Sequence, residues 1–158
     1  MTYSVQVDEN LIALTWFGLP SLAGVKELER AFERVAISQR RKIAFATLIH
    51  AGATPEKASV EVRDAVATLL RRFAHRLCAT VIIYEAPGFK AMTTRTIIAT
   101  INLLSRIRFP SEVHSKLDRG VAWIVQQLGA DAPDDVQRRL LAMLSAAAPE
   151  SVGADSRP

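Results

Sequence analysis

The chain holds few of the residues that staples, metal sites or membrane spans require. Its 158 residues include a single cysteine, Cys78, so no disulfide can close within the chain. Cys78 heads the apolar run Cys78 to Tyr84 and reads as a buried, inert thiol, which fits a reducing cytoplasm. The histidines, His50, His75 and His114, stand apart, and no CxxC, HxxxH or HxH occurs, so neither a metal nor another cofactor is expected. Aromatic residues make up only 6% of the chain, and no RNP, zinc or helix-turn-helix pattern accompanies them, which argues against nucleic acid as a partner. Glycine is also sparse, and the chain has no GxGxxG, no Walker lysine motif and no Gly-x-Ser-x-Gly elbow. The first residues lack the basic and apolar regions of a signal peptide. The longest helical apolar stretch, Ile97 to Leu104, is interrupted by Thr100 and Asn102 and falls short of the ~20 residues that cross a bilayer, so no membrane span is expected.

What the chain does have is a globular composition, 49% hydrophobic and 23% charged. A domain of this size buries roughly 68–70% of its unfolded surface, enough to fold without staples. The net charge of +4 is unevenly placed. Residues 1–37 carry three basic and five acidic side chains, residues 38–120 fourteen and six, and residues 121–158 three and five. The basic excess lies in Arg40-Arg41-Lys42, in Arg71-Arg72 with His75-Arg76, and in Arg106 with Arg108. Such clusters attract phosphates or acidic proteins, or else serve as solvated helix ends.

Hydrophobic periodicity then predicts the elements. Ser4 to Val7 alternates as a half-buried strand, Asn10 breaks it, and Leu11 to Phe17 resumes, an opening hairpin. Ser21 is placed to cap a helix with Leu22, Val25, Leu28, Phe32 and Val35 on one side. Lys42 to Ile49 is apolar on both faces, as a central strand should be. Two start signals, Thr54-Pro55-Glu56 and Ser59, precede a helix whose stripe is Val62, Val66, Leu69, Leu70, Phe73 and Leu77. A strand from Thr80 to Tyr84 stops at Ala86-Pro87-Gly88, and a long helix is expected from about Phe89 to Ile107. A short strand at Glu112 to His114, a helix at Gly120 to Leu128 stopped by Gly129, and a helix from Val136 to Ala147 complete the pattern. The expected fold is α/β, a mixed, mostly parallel five-stranded sheet with an opening antiparallel hairpin, in the order ββαβαβαβα plus a C-terminal helix. Its expected division is an α/β domain at 1–130, a packed helical extension at 131–148 and a disordered tail at 149–158.

This order resembles the STAS family, the sulfate-transporter and anti-sigma-factor-antagonist domains, in its branch of small bacterial single-domain proteins. The similarity spans roughly residues 3–128 and rests on Gly88 to Ile98, on Phe109 to His114 and on Ala122-Trp123-Ile124. It implies a non-enzymatic interaction module in bacterial cytoplasmic signalling. Anti-sigma antagonists carry a phosphorylated serine in an Asp-Ser-Ser/Thr-Gly motif, and here the corresponding stretch, Ile49 to Val60, has none. Ser59 and Thr54 are the phosphoacceptor candidates left, and helix capping accounts for both.

The helix after Gly88 is apolar beyond one face, because from Ile97 to Ile107 only Thr100, Asn102, Ser105 and Arg106 are polar. It needs a second cover: the C-terminal helix, a protein partner or second copy, or an apolar ligand. Phe89, Arg95, Ile98 and Asn102 are the candidate surface on it. Arg95 can pair with Glu85 or an acidic headgroup. The alternative function is a carrier or sensor of a small hydrophobic or acidic-headgroup, lipid-like ligand held between that helix and the sheet. A third is an enzyme using His50, Glu85 or Arg95, of which His50 and Glu85 follow strand ends, where α/β sheets place ligand crevices.

Overall fold

A computed structural model of the chain describes residues 2–85, 95, 96, 99 and 109–146. The strands are β1 (Tyr3–Asp8), β2 (Leu11–Trp16), β3 (Ile43–Ile49), β4 (Leu77–Tyr84) and β5 (Ser111–His114). The α-helices among the described residues are α1 (Leu22–Ser38), α2 (Val60–Phe73), α3 (Leu117–Leu128) and α4 (Pro133–Leu144). The strands form one sheet in the order β1-β2-β3-β4-β5. Only β1 and β2 pair antiparallel; β2 through β5 run parallel. The α/β class and the mixed sheet with its opening hairpin therefore agree with the sequence. The expected helix at Phe89 to Ile107 and the tail at 149–158 lie outside the described residues, except that Arg95, Thr96 and Ala99 are helical.

The sheet separates two apolar cores. All residues of β2 and β3 are buried, so both faces of the sheet centre must be covered. On one face α1 and α2 pack over Ile12, Leu14, Trp16, Phe45 and Ile49. Phe32 of α1 stacks on Phe73 of α2 and meets Phe45 edge-on, with ring centroids 5.2 and 5.3 Å apart. On the other face α3 and α4 pack over Leu11, Ala13, Ala46, Leu48, Val81 and Ile83. Helix α4 contributes Val136, Leu140, Met143 and Leu144 to this second core, where it lies against α3 and β2.

Several boundaries shift for identifiable reasons. Leu77 opens β4 instead of closing the preceding helix, because a 3₁₀ turn at Ala74–Arg76 ends α2 early. Cys78 is then the extra residue of a bulge, since Ile43 pairs with Leu77 and Ala44 with Ala79. Both start signals before α2 are used: Pro55–Lys57 forms a 3₁₀ turn, and the Ser59 hydroxyl accepts from the Val62 amide at 3.2 Å. Leu22 is exposed, and the inner position of the first turn of α1 goes to Gly24. Helix α3 begins at Leu117, and α4 runs from Pro133 to Leu144.

Part of the basic excess is consumed inside the fold. The Arg76 guanidinium donates to the carbonyls of Ala36, at 3.0 Å, and of Gln39, satisfying the C-terminus of α1. Arg72 reaches from α2 to Glu29 at 2.8 Å and Glu33 at 3.1 Å on α1, with its guanidinium over the Phe73 ring. Asn10, in the hairpin turn, donates to the Lys42 carbonyl at 2.8 Å and so ties the turn to the start of β3. Its neighbour Glu9 sits at φ 52°, a left-handed conformation that costs a non-glycine residue about 1–2 kcal/mol. Arg139 of α4 holds the same turn through Asp8 at 3.0 Å.

Gly120 is required where α3 crosses β4. A Cβ there would lie 2.5 Å from Ile83 Cγ1 and 2.9 Å from Cδ1. Gly120→Ala is expected to lower stability by about 1–3 kcal/mol, read from the urea midpoint, because α3 must lift off the sheet. An unchanged midpoint would contradict this packing.

Candidate functional site

Among the described residues, the layer of α1 and α2 does not close completely over the sheet. A cavity of about 120 Å³ lies between them. Its floor is the α1/α2 face of the sheet: Leu14 and Trp16 from β2, Phe45, Thr47 and Ile49 from β3, Thr80 and Ile82 from β4, and Ser111 from β5. Its roof is Leu28 of α1 with Val62, Val66 and Leu70 of α2, and Pro20, Pro55 and Ala58 close it from the strand-to-helix loops. The i, i+4, i+8 spacing of Val62, Val66 and Leu70 keeps one stripe of α2 over the space. The exposed Arg63 is the charged residue among those lining it.

Three hydroxyls, of Thr47, Thr80 and Ser111, stand in this apolar lining. Thr47 and Thr80 are buried in strands that are otherwise almost wholly apolar. The Thr80 hydroxyl donates to Ser111 Oγ at 2.9 Å across the β4–β5 pair. Thr47 faces Ile82 in the neighbouring register. Farther along the same face of β4 lies Tyr84, fully buried, with a hydroxyl that has no hydrogen-bond partner among the described residues. Burial, with the Glu56 carboxylate as a second cause, pushes the Tyr84 phenol above its ordinary value, so it stays protonated.

The residues singled out from sequence are scattered by comparison. His50 and Glu85 do follow the ends of adjacent strands, since Ile49 and Tyr84 are paired. His50 lies in a turn, its amide donating to the Trp16 carbonyl and its ring stacked on Phe17 with centroids 4.9 Å apart. Glu85 and Arg95 are exposed, and no ion pair joins them among the described residues. Phe89, Ile98 and Asn102 lie outside the described residues. Ser59 is the N-cap of α2, and Thr54 precedes the 3₁₀ turn without a side-chain capping bond. Burial pushes the Cys78 thiol up, which leaves little thiolate to react at neutral pH. Among the described residues there is no group of three or more His, Cys, Asp or Glu placed to hold a metal ion, and no helix long and apolar enough to cross a membrane. Sequence reasoning passed over Thr47, Thr80 and Ser111. The signal was present for the first two, because a hydroxyl inside a run buried on both faces needs a partner.

Comparison with known proteins gives no match to a family model, a curated protein or a solved structure.

The cavity wall depends on one close approach. Gly24 leaves room for the Trp16 indole, whose Cη2 and Cζ3 would lie 2.4 and 2.6 Å from a Cβ at that position. Gly24→Ala is expected to push the indole into the cavity and destabilise the fold by about 1–3 kcal/mol. With Trp123→Phe as background, Trp16 emission should shift and the urea midpoint should fall; if both stay fixed, the indole is not held against α1 as described.

Proposed function

We propose that the protein is a non-enzymatic binding module that takes up a small, largely apolar molecule between α2 and the sheet. The supporting observation is the cavity of about 120 Å³ with its apolar lining. Apolar cavities of about 150 Å³ stay dry and accept benzene or xenon, so this space suits a single ring or a short branched chain. It is well below the roughly 300–1,000 Å³ of pockets for drug-sized ligands, which argues for a small molecule over a lipid. At about 24 cal/mol per Å³, filling 120 Å³ contributes about 3 kcal/mol. That is less than the ~4 kcal/mol of a millimolar complex, so a functional ligand needs more than shape.

A second reading keeps the STAS-like interaction module of bacterial signalling, with a protein partner or a second copy at the surface that includes Arg95. Its support is the element order and the mixed sheet with its antiparallel opening hairpin. Exposed Ile37 and Val60 do not strengthen it, because they stand at the end of α1 and the start of α2, and single exposed apolar residues are ordinary.

The ligand reading is tested by filling the space. Toluene near its solubility limit, a concentration about equal to the dissociation constant that ~3 kcal/mol implies, should raise the melting temperature of the wild type by about 1–2 °C. Val66→Phe, which puts a ring into the roof, should itself be near neutral in stability and should abolish the toluene shift. A wild type that shows no shift, or a variant that shows the same one, would contradict the reading.

A further inference from the structure

We propose that the cavity selects a neutral molecule with one hydrogen-bond acceptor, such as a hydroxyl or carbonyl compound on a small apolar body, and that Ser111 and Thr80 are the selecting residues. This rests on the reading of the cavity as a ligand site.

The argument starts from proton counting. Two hydroxyls joined by one hydrogen bond use one of their two protons, and the Thr80–Ser111 pair is joined at 2.9 Å. Whichever of them donates, one proton is left over. Both residues line the cavity, so the spare donor stands at its wall. Thr47, on the adjacent strand and in the same lining, adds another hydroxyl. The rest of the floor among the described residues is apolar, so a ligand group that accepts this proton is fixed in position while the body of the ligand meets Phe45, Ile82 and Val66.

The same wall discriminates against charge. Among the described residues, a carboxylate placed beside Thr80 and Ser111 would lose its hydration for hydroxyl contacts alone, because the cation lining the space, Arg63, is exposed on α2. A plain hydrocarbon fits but leaves the spare hydroxyl proton without an acceptor. A neutral oxygen satisfies both conditions.

The test compares toluene and phenol, which differ by a methyl for a hydroxyl, with benzoate as the anion. Affinities are measured by titrating Trp16 fluorescence in the Trp123→Phe background. The double variant Thr80→Val/Ser111→Ala, which removes both hydroxyls and with them the spare proton, should weaken phenol about fivefold, the effect of one hydrogen bond, and leave toluene within a factor of about two. Either single variant, Ser111→Ala or Thr80→Val, keeps one hydroxyl with a free proton and should hold phenol within about a factor of two, and retained toluene binding in the double variant shows that it is folded. Comparing each ligand with itself across variants cancels the hydration difference between phenol and toluene. If both ligands bind the wild type and the double variant changes them equally, the hydroxyl pair does not select and the inference fails while the cavity reading stands. Benzoate binding tightest, and losing affinity in Arg63→Ala, would also overturn the inference, in favour of anion selection. If neither toluene nor phenol binds the wild type, the cavity reading itself fails.

Discussion

Strand β3 is buried along its entire length, Ile43 to Ile49, and both of its faces therefore need cover. Apolar side chains that alternate to opposite sides cannot be satisfied by one helix layer. Helices α1 and α2 take one face, and α3 with α4 takes the other. The parallel pairing of β2, β3 and β4 follows from the same constraint, because each crossover returns the chain to the same end of the sheet only after laying a helix across it. At roughly 25 cal/mol per Å² of apolar area, the burial of this one strand outweighs the surface ion pairs of the chain.

Polar groups then mark where the two layers are tied and where they are not. Arg72 of α2 and Arg76 of the 3₁₀ turn after it fasten this segment to α1, and Arg139 fastens α4 to the β1–β2 turn. Near the β5 side of α2 no comparable tie spans the helix layer and the sheet among the described residues, and the cavity lies there. Among the described residues, Thr47, Thr80 and Ser111 are the hydroxyls lining it, in a wall otherwise made of Leu, Ile, Val, Pro, Ala and aromatic side chains with Arg63 exposed. A hydroxyl is less costly to bury than a charge and more directional than a methyl, which makes it the natural device for orienting a small neutral ligand.

Much of the architecture was legible in the sequence because burial pattern dominates it. The double-faced run at β3, the stripe of α2 and the break at Asn10 each carry their own periodicity. The details that escaped are those in which a neighbour distant in sequence decides. Gly24 replaces Leu22 on the inner face because Trp16 occupies that space, and Leu77 belongs to β4 because Ile43 is there to pair with it. The site was less legible. The conspicuous chemistry belongs to His50, Glu85 and Arg95, whereas the cavity arises where apolar residues fail to fill a volume. No single residue announces a void; Thr47 and Thr80, polar inside buried strands, came nearest to doing so.

The central claim, an apolar cavity between α2 and the sheet that admits small molecules, is tested most directly by a crystal structure under xenon pressure. Xenon binds apolar spaces by dispersion alone and needs neither hydrogen bonds nor charge. The account expects an anomalous peak between Val66 and Ile82, within contact distance of Phe45, at modest pressure. Density showing that space closed by side chains, with no xenon in it, would contradict the account.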